Sequence, residues 1–220
     1  MKLALLHLCD SLFPIGAFAH SDGLESATAD GRIASAADLR EWIAVCLDES
    51  IGRLEGPAVW RAWRATQDDD AAALAALDEE LTAMRPSSAA RQSSRAMGRR
   101  LLTTWRAMHA GDSRTVERSL ATGATLPVAF AVACASIPVE RRAAVEAFAY
   151  TRLAATVSAA MRLLPIGQIE AHALLARALD RVPPVVDAIA SRGGDLESFA
   201  PALDIAAMSQ QYVHSRLFRS

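Results

Sequence analysis

The sequence predicts an all-α fold, and three observations carry that prediction. Alanine is the commonest residue, and with leucine and arginine it gives the chain a strong helical bias. Strand-favouring residues are sparse, aromatics reach only 5%, and no stretch alternates strictly between hairpin signals. Apolar residues instead recur at spacings of three and four along most of the chain. The pattern predicts one helical-bundle-like domain over residues 1–220, with about nine or ten helices.

Taken in order, Leu3 to Ser11 is a short apolar segment that breaks at Phe13-Pro14-Ile15-Gly16. Gly23 and Gly31 bracket a helical stretch from Leu24 to Asp30. Ser35-Ala36-Ala37-Asp38 has the form of a capping box: the serine hydroxyl accepts from the amide three residues on, and the carboxylate reaches back. Behind it, Leu39, Trp42, Ile43, Cys46, Leu47, Ile51 and Leu54 mark one helical face. Gly56-Pro57 is expected to break or kink that helix, with Val59 to Ala65 resuming it. Asp68-Asp69-Asp70 caps a helix from Ala71 to Met84, where negative charge suits the N-terminal dipole. Pro86-Ser87-Ser88 starts a long helix from about Ala89 to His109, with Met97, Leu101, Trp105 and Met108 as its inner stripe. Ala110-Gly111-Asp112 ends it and caps Ser113 to Ala121. A more apolar helix covers Pro127 to Ser136, and Pro138 suits the first turn of the next, which carries Val145, Phe148, Leu153, Val157, Met161 and Leu164. Pro165 and Gly167 close it. Ile169 to Arg181, Pro184 to Ser191 and Leu203 to Gln211 complete the helices, and Tyr212 to Ser220 is a tail.

Composition narrows the function. The formal net charge is -2, which gives no sign of a nucleic-acid or anionic-membrane partner. The three cysteines, Cys9, Cys46 and Cys134, form no CxxC pair, so neither a disulfide framework nor a zinc site is expected, and a reducing cytoplasm fits. No apolar run reaches the roughly 18 residues of a membrane span, and the start is too soon polar for a signal peptide.

No catalytic constellation emerges. The glycines from Gly16 to Gly23 lack the Gly-Lys-Ser/Thr ending of a phosphate loop. The histidines His7, His20, His109, His172 and His214 are scattered, without two ligands a helical turn apart. His7 and Cys9 point roughly 200° apart on a helix, so Cys9 reads as a small packed hydrophobe. His20-Ser21-Asp22 puts triad residue types side by side, but no nucleophile elbow surrounds Ser21, and Ser21 and Asp22 read better as caps for the helix from Leu24. Arg99-Arg100 has the chemistry of an arginine finger, although such a pair is more often the solvated side of a helix. No catalytic residue, metal or cofactor is expected.

The opening string from Leu5 to Glu25, LLHLCDSLFPIGAFAHSDGLE, resembles the opening of the urease accessory protein UreF family, roughly LLxLxDSxFPxGxFxHSxGLE. Ser94-Arg95-Ala96-Met97-Gly98-Arg99-Arg100-Leu101-Leu102 is similar to that family's SxxxGxxLL segment, Ala159 to Gln168 to its AAxRLxPxGQ segment, and Ser215 to Ser220 to its SRLFxS tail. Two positions depart: Cys9 stands where serine or alanine is usual, and Ala131 where the family often has glycine. The resemblance implies an all-α protein that dimerises, binds the accessory protein UreD (also called UreH), recruits the GTPase UreG and docks on apo-urease. The complex then delivers nickel to the urease metallocentre. An alternative within the same setting is a GTPase-activating protein for UreG that works through an arginine finger.

Action by binding makes particular residues candidates. They are Phe13, Pro14, Gly16, Phe18, His20, Ser21, Gly23 and Glu25 in the opening block, Arg99 in the central block, and Arg216, Leu217 and Phe218 in the tail. Phe13, Phe18, Leu217 and Phe218 are apolar anchors of the hot-spot kind, and Arg216 offers a planar fork to a carboxylate. The tail is open to two readings: docking on a partner, or folding back onto the chain's own core. On the docking reading its removal weakens UreD binding and leaves the helical fold intact.

Overall fold

The structure is a computed structural model and describes residues 3–109 and 123–219. Among the described residues every regular element is helical, so the all-α expectation holds. The elements are α1 (Leu3–Cys9), a 3-10 turn (Ala17–Ala19), α2 (Leu24–Ala29), α3 (Ala36–Val45), a π-helix (Cys46–Glu55), α4 (Gly56–Gln67), α5 (Ala71–Ala83) and α6 (Ser88–Met108). Then come α7 (Leu126–Ala135), α8 (Arg141–Leu163), α9 (Gln168–Asp180), α10 (Val182–Ser191), α11 (Pro201–Ser209) and a 3-10 turn (Gln210–Tyr212). The helix expected over Ser113 to Ala121 lies outside the described residues.

Local capping chemistry decides several starts. Ser35 Oγ accepts from Asp38 N–H at 3.2 Å, and Asp38 Oδ2 accepts from Ser35 N–H at 3.0 Å, which closes the expected capping box. Asp70 caps α5 by accepting from Ala73 N–H at 2.9 Å, and Ser87 caps α6 by accepting from Ala90 N–H at 3.2 Å.

The core is built around α7. Every residue from Leu126 to Cys134 is buried, so this helix is apolar all round and is enclosed by its neighbours, chiefly α4, α6 and α8. Met97, Leu101 and Trp105 of α6 face inward as expected, but Met108 is 43% exposed, because α6 outruns the core at its end. Pro138 is not in the first turn of α8. It precedes Val139, whose N–H donates back to Ile137, and α8 starts after Glu140.

The expected break at Gly56-Pro57 is absent: the backbone runs on helically through a π segment. Pro57 has no N–H, and in an α-helix its ring would collide with the carbonyl four residues back. The wider π turn before it removes that collision, and Gly56 N–H donates to the Ile51 carbonyl. The Arg53 carbonyl, left without a donor from Pro57, accepts Glu197 N–H at 2.8 Å. Gly52 likewise accepts from Arg192 Nη2 at 2.8 Å. The stripe of Leu39, Trp42, Ile43, Leu47, Ile51 and Leu54 stays buried across the junction.

Candidate functional site

After α1 the chain makes an irregular passage to α2. Phe13 enters the core, 5% exposed, edge-on to His7 and tilted against Trp105 with centroids 5.4 and 6.4 Å away. Gly16 takes a left-handed φ of 78°, and the short turn Ala17–Ala19 then presents Phe18 to solvent at 75% exposure. Gly23 is demanded twice over. Its φ is 87°, and a Cβ there would lie 2.7 Å from the backbone nitrogen of Ala207. That glycine lets α11 press directly on the start of α2.

The other three family-like blocks arrive at this passage from distant parts of the chain. In the central block, a Cβ on Gly98 would lie 2.2 Å from the Ala124 carbonyl oxygen, so only glycine lets the chain entering α7 cross α6 here. Ser94 Oγ accepts Leu126 N–H at 3.1 Å and so satisfies one free amide of α7. Arg100, two residues beyond Gly98, lies over Gly16. From the third block, Arg162 donates to the Phe18 carbonyl at 3.0 Å and stacks on the Phe218 ring, 4.3 Å from its centroid. The fourth block closes the assembly through Glu25. Its buried carboxylate accepts Leu217 N–H at 2.5 Å and Phe218 N–H at 3.3 Å, and also accepts from Gln210 Nε2. Arg219 N–H donates to the Ala19 carbonyl at 2.8 Å.

An ionic chain, buried at Glu55 and half-buried at Asp22, braces the same passage. Arg152 of α8 donates to Asp22 at 2.6 Å and to Glu55 of the π-helix at 3.1 Å, and Glu55 also pairs with Arg85. Burial works against the charge on Arg152, but the facing Asp22 and Glu55 carboxylates overcome it and hold the guanidinium charged. Burial likewise works against Asp22 ionising, yet Arg152 keeps its carboxyl below the ordinary range. His20 titrates below its ordinary value. Burial is the chief cause; Asp22 opposes it, and the charges of Arg152, Arg219 and Arg100 add to it.

The expected site residues therefore fall into two main groups, with Gly16 and His20 half-buried between them. Phe18, Leu217, Arg99 and Arg216 are exposed, as is Pro14 on the turn. Phe13, Ser21, Gly23, Glu25 and Phe218 are buried within the chain. Phe13 is thus a core residue and not an exposed anchor, because the turn after α1 points it at Trp105. Phe218 folds back onto the chain itself, 3% exposed, since Glu25 and Arg162 hold the tail. Of the pair Leu217 and Phe218, only Leu217 stays outside, at 60% exposure. Asp22 is not a helix cap. Gly23 occupies the N-cap position of α2, and Glu25 N–H reaches Ser21 Oγ at 3.4 Å. Sequence reasoning did not single out Arg152 or Arg162, although Arg162 sits inside the third block.

Among the described residues no group of three His, Cys, Asp or Glu side chains is placed to hold a metal ion. Burial pushes the Cys9 thiol up to about 11, and the group lies 3.9 Å from the Ala147 carbonyl, as a packed side chain does. An open, largely apolar groove of about 1060 Å³ runs along α8 beside the passage, reaching Phe18 and Phe218.

The UreF family model matches residues 33–179. A urease accessory protein UreF from Methylibium petroleiphilum is 32% identical over 99% of this chain and 93% of its own length. One from Rhodopseudomonas palustris strain BisA53 is 35% identical over 94% of this chain and 88% of its own, and one from Azoarcus sp. is 33% identical over 99% and 95%. The family match thus spans most of the chain, the relatives span nearly all of it, and the chain belongs to the UreF family of urease accessory proteins.

Proposed function

We propose that this chain serves urease maturation by assembly and not by catalysis. In this reading it is a cytoplasmic homodimer that binds UreD (UreH), and the complex brings the GTPase UreG to apo-urease for nickel insertion. Nickel is the cargo of the complex and not a resident cofactor of this chain. One observation supports the reading above others: four blocks far apart in sequence converge on one passage that turns Phe18 and Leu217 outward. Convergence of that kind shapes a surface for a partner.

The outer face of α8 suits the homodimer. Ala143, Ala147 and Ala154 let a second helix approach closely, and Tyr150, 41% exposed, supplies an aromatic anchor beside the groove. Ala154→Arg should then yield a monomer by light scattering, while a persistent dimer counts against this face. The wider reading is tested by mixing the purified chain with UreD, UreG and apo-urease and resolving the complexes by size. A chain that enters no complex contradicts it. Arg99 and Arg100, both exposed on α6, are the residues through which a GTPase-activating role would act. Phosphate release by UreG, measured with the wild-type chain and with Arg99→Ala and Arg100→Ala, tests that alternative.

A further inference from the structure

Arginines from three separate elements ring the loop of residues 16–20. Arg100 of α6 lies so close to Gly16 that a Cβ there would sit 2.6 Å from its Nη1. Arg162 of α8 holds the Phe18 carbonyl at 3.0 Å. Arg219 is tied by its own N–H to the Ala19 carbonyl at 2.8 Å, and Arg216 stands exposed three residues before it.

Among the described residues, few acids stand beside these charges. Ser11 to Ser21, all of α6, and Ile205 to Arg219 contain no Asp or Glu. Next to the loop in sequence, Asp22 pairs with Arg152 at 2.6 Å and Glu25 accepts the tail amides. Asp10 accepts from Leu12 N–H at 2.8 Å, and Glu146, the one acid of α8, pairs with Arg142 at 3.0 Å. Among the described residues, Arg100, Arg216 and Arg219 form no ion pair. Positive charge is thus concentrated at one loop of a chain whose formal net charge is -2. Phe18 stands in the middle, 75% exposed, with Leu217 60% exposed on the strand of tail that flanks it. Arginine forks around an exposed aromatic are the chemistry of a protein hot spot that receives carboxylates.

We propose that the arginine-ringed loop of residues 16–20 is the docking site for an acidic segment of a partner protein, with carboxylates on Arg100 and Arg219 and an apolar side chain against Phe18. The inference rests on the assembly reading above and narrows it to one surface and one partner chemistry. Such a contact weakens with salt, because the exposed charges are screened.

The test uses the full chain and its cognate UreD, UreG and apo-urease as probes, with affinities measured at about 50 and 300 mM NaCl. Arg100→Glu and Arg219→Glu should each weaken binding of one of these partners at least tenfold at low salt. Arg40→Glu, a reversal of an exposed arginine on α3, should leave that affinity unchanged. Thermal melts confirm that each variant is folded, and Arg216→Glu provides a further reversal where one fails. Undiminished binding by the folded variants overturns the loop as the site while leaving the assembly reading standing. Displacement of the partner by inorganic phosphate at constant ionic strength overturns the protein-segment assignment in favour of a small anion. Loss of self-association in the same variants overturns it in favour of a second copy of this chain. If the wild-type chain binds none of the three probes, the assembly reading falls and the inference falls with it.

Discussion

Deleting Ser215 to Ser220 tests how the tail is held. Phe218 is 3% exposed, and burying such a side chain is worth about 1.5–3 kcal/mol. Leu217 and Phe218 also donate two backbone N–H groups to the buried Glu25 carboxylate, leaving it Gln210 as its remaining donor once the tail is gone. Each lost hydrogen bond to a charged group costs about 1.5–3 kcal/mol, with the two not fully additive. The deletion should therefore cost about 4 kcal/mol, or roughly 8–16 °C in Tm for a chain of this size. Far-UV circular dichroism melts of the full and truncated chains measure it directly. Phe218→Ala alone should account for about 3 kcal/mol, and Glu25→Gln should weaken the clamp without removing the aromatic ring. A truncated chain melting within about 2 °C of the full one would show the tail to be held weakly or not at all.

Three further outcomes follow from the same contacts. Gly98→Ala places a methyl 2.2 Å from the Ala124 carbonyl oxygen and should cost about 3 kcal/mol in denaturant unfolding; a cost below about 0.5 kcal/mol would mean the crossing is looser than described. Arg152→Met leaves buried Glu55 with Arg85 alone and half-buried Asp22 without its cation, and should destabilise by about 3 kcal/mol, while an unchanged unfolding midpoint would contradict the ion chain. His20 binds its proton less readily in the folded chain than in the unfolded one, so its contribution to stability is complete above about pH 6.5 and is lost as pH falls from there toward the folded value. His20→Gln should remove that part of the acid slope, and identical pH profiles for the two chains would contradict it.

What could be read in advance was local chemistry. The capping box at Ser35, the Asp70 cap and the inward stripe of α6 depend on neighbours within a turn or two, and each formed as expected except at Met108. The π-helix was not legible because its stability draws on Glu197 and Arg192, more than a hundred residues away. Asp22 looked like a cap for the same reason: its partner, Arg152, is 130 positions distant. Phe13 and Phe18 are the same residue type in the same short segment, and only the turn geometry sends one inward and the other outward. The tail posed the same ambiguity at adjacent positions, Leu217 outward and Phe218 inward. The four blocks could be recognised singly, but their meeting at residues 16–25 is a property of the folded chain.

Urease maturation in a cell that carries the urease subunits and the other accessory proteins tests the central claim most directly. Urease activity and bound nickel are measured with this chain omitted, with the wild-type chain supplied, and with Phe18→Asp supplied at equal abundance. Active, nickel-loaded urease should require the wild-type chain, and the exposed-loop variant should restore at least tenfold less. Full activity and nickel content without the chain would contradict a role in maturation. Full restoration by Phe18→Asp would show that the surface built by the four blocks is not where this chain does its work.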